Sequence, residues 1–417
     1  MTNLLRTYWK RICQFSPNAR LYLLSAMIGG AAFGVYRLLF NFYALSLNLD
    51  ESIIGDIITI NSLTALLLAL PLGYLANALD RKLSLLLGGL LTSLSVLVTV
   101  IWPYKWLFYA MAVVMGAAQS LSAVTMAPFL LENSGVEERT YLFSWSQGLS
   151  MTASFVGNSV GGYLPTWIGR LQGVEATSST AYAGALGVIG VVSLMALLPL
   201  LGLRPSLRPH EERSLFAPFR YAVQHMGLIA KLVLPMLITS LGAGLFMPFM
   251  NVFFRVKHLQ PDHVIGNVLA WGALFMGLGL IIAPPIADRI GKIQLVVISQ
   301  ALSIPFLALL GFAPQFWMSA LAHYLRLTLM NMGGPVYNAF VMEHVEPKSR
   351  VLVASLTSMV WNVGWAFSPY LSGRLQVQYG FDPVFFAVLV LYSISVFLYW
   401  AFFWKEKTAL SDPVPAV

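Results

Sequence analysis

Apolar residues run along the chain in twelve stretches, each bounded by charge, proline or glycine. Each is close to the ~20 residues that carry a helix across a bilayer. The runs predict helices over residues 21–47, 53–76, 84–101, 105–131, 142–168 and 181–203, then over 228–254, 264–287, 294–312, 315–342, 351–373 and 383–404. The fold class this implies is all-α: a polytopic membrane protein with twelve transmembrane helices in two six-helix halves. Residues 1–20 form a polar lead-in, 21–203 the first half, 204–227 a linker, 228–404 the second half and 405–417 a tail. The linker is the longest polar stretch, with Arg204, Arg208, Arg213 and Arg220 among its residues.

Aligning the chain with itself at a shift of 211 residues pairs Ile54-Gly55 with Ile265-Gly266, Trp106 with Trp317, Glu132 with Glu343, Arg139 with Arg350, and Gly162 with Gly373. Leucine matches would mean little in so apolar a chain, whereas Trp, Glu and Arg matches at one constant shift indicate duplication. Two halves of equal helix number and orientation are a parallel repeat about an axis along the membrane normal, the arrangement that serves alternating access.

Composition agrees, with 58% of residues apolar and 10% charged, against roughly 25% charged in soluble domains. A soluble globular enzyme is excluded. The formal net charge of +8 is a topology signal rather than a nucleic-acid footprint, because the cations sit in short loops. Eighteen of the 25 Lys and Arg fall at the termini and in or, as Lys231, just beside the loops on the N-terminal side, and five in or beside the opposite loops. Both termini are therefore expected in the cytoplasm, in a cytoplasmic (plasma) membrane. The first apolar run, preceded by Arg6, Lys10, Arg11 and Arg20, is long and has no cleavage site, so it reads as an uncleaved helix. The lone Cys13 allows no internal disulfide; it reads as an ordinary juxtamembrane residue, with palmitoylation the alternative.

Three motif positions carry a resemblance to the major facilitator superfamily of secondary transporters, over about residues 20 to 405. The family has Gly-x-x-x-Asp-Arg-x-Gly and basic residues between helices two and three. Its repeat copy here reads Asp288, Arg289, Ile290, Gly291, Lys292, whereas the first-half version has Asn77 at the family's Asp and Ala78 at its Arg, followed by Asp80 and Arg81. A short turn of this kind caps a neighbouring helix with its acid while its cations pair across an interface. The second position is Glu132 with Arg139, mirrored by Glu343 with Arg350, where Pro347 turns the chain so that acid and base can meet. The third, Gly157, Asn158, Gly161 and Gly162 in helix five, is similar to the Gly-Pro-x-x-Gly-Gly of antiporter-type members, and its copy reads Ser368, Pro369, Ser372, Gly373. Small residues at that spacing also serve close helix approach without any antiport. The resemblance implies gating by Asn77, Asp80, Arg81, Asp288, Arg289, Glu132, Arg139, Glu343 and Arg350. The alternative is that these charges only fix topology.

Arg37 and Arg326 lie inside predicted helices. Arg37 is ten residues before the end of helix one, or ~15 Å along its axis, half of a ~30 Å hydrocarbon core. Arg326 is at a similar depth. An intramembrane arginine costs ~2.5–3.5 kcal/mol or more and points to function. Every carboxylate lies in a loop or at a helix end except Asp56, three residues into helix two. The resemblance places helices one, four, seven and ten around a central cavity, so two uncompensated cations there favour an anionic ligand, gripped in the bidentate manner that suits carboxylate or phosphate. The competing reading pairs Arg37 with Asp56 and lets Arg326 cap carbonyls near Gly333 and Gly334. His323 shares a helical face with Arg326; Asn41, Tyr36, Gln119 and Asn251 complete the candidate substrate set.

No phosphate-binding loop, nucleophilic triad or metal-ligand cluster appears, so neither enzymatic activity nor a cofactor is expected. The partners expected are a small, anionic substrate, a possible coupling ion and the lipid bilayer, with no nucleic acid and a monomeric chain. The function expected is secondary transport of a small organic anion. Alternatives are a proton-coupled exporter of lipophilic compounds and a non-transporting sensor that keeps the fold.

Overall fold

A computed structural model describes residues 15–135, 139–204, 225–345 and 350–405. Among the described residues every regular element is helical. They are α1 (Pro17–Ser46), α2 (Glu51–Ala78), α3 (Arg81–Ile101), α4 (Lys105–Glu132), α5 (Arg139–Gly161), α6 (Leu164–Gln172), α7 (Ser179–Met195), α8 (Leu198–Leu201), α9 (Met226–Phe246), a 3-10 turn (Met247–Phe249), α10 (Met250–His258), α11 (Asp262–Ile290), α12 (Lys292–Phe312), α13 (Phe316–Glu343), α14 (Arg350–Tyr379) and α15 (Asp382–Phe403). These make twelve spans. The fifth is broken into α5 and α6, the sixth into α7 and α8, and the seventh into α9, the 3-10 turn and α10.

The starts are fixed by local chemistry. Ser16 Oγ accepts from Ala19 N at 3.2 Å ahead of Pro17, Asp50 Oδ1 from Ile53 N at 3.0 Å, and Ser178 Oγ from Ala181 N at 3.2 Å. Each such cap is worth about 1 kcal/mol. Lipid supplies no hydrogen bonds, so helices satisfy the backbone internally and hydroxyls within spans turn back onto it. Thr92 donates to Gly88 O at 2.9 Å and Ser95 to Leu91 O at 2.7 Å.

Among the described residues nine helices are long and apolar enough to cross a membrane. The fifth, tenth and eleventh spans fall short in apolarity rather than length. Among their residues are Gln147 and Asn158 in α5, His323, Arg326 and Asn331 in α13, and Asn362 and Gln376 in α14. Outward faces are apolar: Leu67 is 65% exposed, Ile281 74% and Phe386 66%, as a lipid-facing surface requires.

Two compact units divide the chain. Residues Met1–Glu212 and Pro248–Ala270 form one, Arg213–Met247 and Trp271–Val417 the other. In the first, α1 packs on α5 and α7, α2 on α4, and α3 on α4 and α7; in the second, α9 packs on α14 and α15, and α12 on α13 and α15. The pairings α1–α5 and α9–α14 occupy equivalent places in the two repeats, as do α3–α4 and α12–α13. Glycine makes the α1–α5 crossing possible, because a Cβ on Gly34 would lie 2.7 Å from Ser154 O and one on Gly157 would strike Ala31 O. Close approach of backbones is what holds helices together where lipid removes the hydrophobic drive. The spacing read in helix five thus has a packing role.

Candidate functional site

Within the first unit α1, α3, α4, α5 and α7, with α8 at its edge, enclose a cavity of about 350 Å³. It occupies the half of the unit nearest the start of α1. Its wall mixes apolar side chains with Gln119, Ser122, Gln147, Ser150, Ser193 and Tyr36, and among the described residues no Asp, Glu, Lys, Arg or His lines it. Tyr36 also packs against Phe40, ring centroids 5.1 Å apart.

Phe33 and Tyr36 line this cavity, and Arg37, one turn on from Phe33, continues the same face of α1. Arg37 is exposed to open space, and no ion pair joins it to a carboxylate of a described residue. The two remaining α1 and α10 candidates have a different job. Asn41 is 3% exposed and donates to Pro248 O at 2.8 Å and Asn251 Oδ1 at 2.9 Å, while Asn251, equally buried, donates to Leu38 O at 2.7 Å. The amides satisfy each other and the backbone at the seventh-span break.

Arg326, in the second unit, is 2% exposed. Its Nη2 donates to Tyr392 Oη at 3.1 Å, its Nη1 approaches Met247 Sδ at 3.6 Å, and Cζ sits 4.3 Å from the Phe246 ring centroid. Neither expectation, open pocket or carbonyl cap near Gly333, describes this aromatic and thioether cage. His323 is also 2% exposed and packs against Gly272, where a Cβ would come within 3.0 Å of its Nε2.

An ionic cluster without a sequence motif lies at the other end of the first unit. Arg255 Nη2 donates to Tyr182 Oη at 2.6 Å and pairs with Asp262, and Tyr182 donates to Asp262 Oδ2 at 2.6 Å. The guanidinium also covers the Phe42 ring at 3.4 Å. Arg255 is in the last turn of α10 and Asp262 in the first of α11, so each also complements its helix dipole. The available signal was Arg255 and Asp262 flanking a short turn, a pattern indistinguishable from any polar loop.

Two overlapping stretches, residues 22–234 and 232–417, match the family model of the Major Facilitator Superfamily. The chain belongs to that superfamily. The Multidrug resistance protein MdtG of Dickeya zeae (strain Ech586) is 22% identical over 411 residues, covering 94% of each chain. Among solved structures, a bacterial homolog of the human lysosomal transporter Spinster superposes with a TM-score of 0.74 at 14% identity, covering 95% of this chain and 100% of that one. A D-xylose-proton symporter gives 0.74 at 15% identity with 92% and 98% covered, and the nucleoside transporter NupG 0.67 at 16% with 93% and 99%. These likenesses establish the fold of a membrane transporter.

Of the superfamily motif positions, Arg81 and Glu132 meet. Arg81 Nε donates to Glu132 Oε1 at 3.1 Å and its Nη1 to Ala76 O at 3.1 Å, which joins the ends of α2 and α4 to the start of α3. Lys82 donates to Leu203 O at 3.0 Å, at the end of the sixth span. Asp80 is the residue that precedes α3, without capping it through its side chain. Asp288 and Arg289 are exposed at the end of α11. The side chains of Asn77, Arg139, Glu343 and Arg350 lie outside the described residues.

Proposed function

We propose that this superfamily member is a secondary transporter of a small organic anion, with Arg37 as the group that recognises the charge. The observation that carries the reading is a permanently charged guanidinium near the middle of a membrane-spanning helix, open to space and unpaired with any described carboxylate. An arginine cannot be neutralised by losing its proton, so its cost is offset by water or by a ligand bringing the opposite charge. Arg326, held by Tyr392 and Phe246, positions the seventh span in this reading and does not touch cargo.

Movement is by alternating access. The Arg81–Glu132 pair at one end of the first unit and the Arg255–Tyr182–Asp262 cluster at the other are the contacts that form and break, with Asp288 and Arg289 as the second-repeat counterpart. Both pairs keep some contact with water, their side chains 12–24% exposed, which suits a contact that must be remade in each cycle. The cation bias places both termini in the cytoplasm of a plasma-membrane protein, and the chain works as a monomer.

Uptake of radiolabelled organic anions into proteoliposomes tests this. Wild type should accumulate at least one of them, and Arg37→Gln should lower its affinity by about 10- to 150-fold, the equivalent of one lost charge-assisted hydrogen bond. Undiminished uptake in Arg37→Gln would remove the anion reading. The likeness to MdtG along the whole chain favours a second reading, export of uncharged or lipophilic compounds; energised efflux of such a compound that is insensitive to Arg37→Gln would select it.

A further inference from the structure

The neutral cavity beside Arg37 has a chemistry of its own. Gln119, Ser122, Gln147, Ser150 and Ser193 project from α4, α5 and α7 onto one space. These side chains differ from Thr92 and Ser93, which also line the cavity but spend their protons on Gly88 O and Gly89 O. No hydrogen bond to a described residue engages the five. A hydroxyl donates one hydrogen bond and accepts two, and a primary amide both donates and accepts. The wall therefore matches groups that are themselves donors and acceptors and carry no charge. A purely apolar guest would leave these groups unpaired wherever water cannot follow, which disfavours it. The volume, about 350 Å³, lies near the lower end of the ~300–1,000 Å³ typical of ligand pockets, which suits a small molecule rather than a bulky one.

Resting on the assignment of Arg37 as the charge-recognising group, we propose that the cavity receives the polyhydroxylated body of a small carboxylate whose acid group pairs with Arg37, so that the cargo class is a sugar acid. Phe33 and Tyr36 on the intervening face of α1 lie between the two subsites, against the carbon chain. Specificity follows from the wall, because a site built to bond hydroxyls rejects analogues that lack them far more strongly than an apolar pocket rejects an added hydroxyl.

Three probes separate the parts of this proposal on wild-type protein in nanodiscs, by calorimetry and thermal shift. They are D-gluconate, hexanoate, which keeps the acid and lacks the hydroxyls, and D-glucose, which keeps hydroxyls and lacks the acid. Gluconate should bind, with hexanoate and glucose each at least about tenfold weaker. Gln119→Leu with Ser122→Ala should weaken gluconate about tenfold or more and leave hexanoate unchanged, while Arg37→Gln should weaken gluconate and hexanoate and leave glucose unchanged. Hexanoate binding as well as gluconate would overturn the hydroxyl subsite and spare the anion reading. Glucose binding as well as gluconate, with Arg37→Gln silent, would overturn the anion reading and this proposal with it, as would failure of all three to bind. The wild-type ratios need no substituted protein, so a variant that folds poorly does not decide the matter.

Discussion

A guanidinium buried without a carboxylate spreads its charge over whatever the chain provides, and at Arg326 that is a phenol oxygen, a thioether and a ring face. Cation–π contact in a desolvated site contributes about 2 kcal/mol, and the phenol adds a hydrogen bond to a charged donor. Tyr392→Phe should therefore lower thermal stability by about 1–3 kcal/mol, because it strands the buried charge. Arg326→Met, which keeps the stem and removes the charge, should cost less or even stabilise, as replacement of buried ions by apolar groups often does. Tryptophan fluorescence melts of both variants check the order. An Arg326→Met protein of unchanged stability that no longer binds anion would instead make Arg326 a cargo group. In sequence the two arginines were equivalent, each a cation in mid-helix. What separates them is Tyr392, 66 residues from Arg326, together with Phe246 and Met247 from the seventh span, and no local pattern announces such a cage.

At the scale of elements the seventh span is the informative one. Its break at Met247–Phe249 coincides with the boundary between the units, with Met247 on one side and Pro248 on the other. Proline alone did not reveal it, since Pro128, Pro235, Pro305 and Pro369 remain inside continuous helices, where neighbouring groups re-satisfy the freed carbonyl. At the break the chain is held by side chains, Asn41 donating to Pro248 O and Asn251 to Leu38 O. A double-mutant cycle with Asn41→Leu and Asn251→Leu should give a coupling of roughly 0.6–1.7 kcal/mol, the range of interhelical hydrogen bonds in membranes; additive effects would deny the pair. Beyond the break, Arg255→Gln should loosen the cluster with Tyr182 and Asp262. In a Cys13→Ser background, a cysteine replacing Tyr36 should then react several-fold faster with a membrane-impermeant maleimide added on the side opposite the N-terminus. An unchanged rate would mean that the cluster does not gate.

For the molecule as a whole, the twelve spans and the repeat were legible because bilayer thickness writes itself into run length, and because Trp, Glu and Arg recur at one shift. The cavity was not. Its polar side chains are spread from Tyr36 to Ser193 with no spacing rule among them, and the chain itself singles out Tyr36, Gln119 and Ser122 but not Gln147, Ser150 or Ser193. The motif charges were half legible: Arg81 and Glu132 occupy motif positions, but the pairing between them became visible only in three dimensions. Coupling can be addressed at this scale. The carboxylates described sit in loops or at helix ends, apart from Asp56 near the start of α2. With no acid in mid-span to carry a proton, counterflow of anion in proteoliposomes should proceed at the same rate with and without an imposed pH gradient. Acceleration of at least severalfold by the gradient would assign the protein to proton-driven transport.

The assignment of Pro248–Ala270 to the first unit bears on how this polypeptide can be assembled. Severing it within the linker would yield an amino-terminal piece that ends before the hairpin seated on Asn41, Phe42 and Tyr182. That piece would be born with an amide and an aromatic pair facing nothing. Co-synthesis with the carboxy-terminal piece would supply what is missing, whereas a cut placed after Ala270 would keep the hairpin with the first bundle but divide α11 and part α9 from α14 and α15.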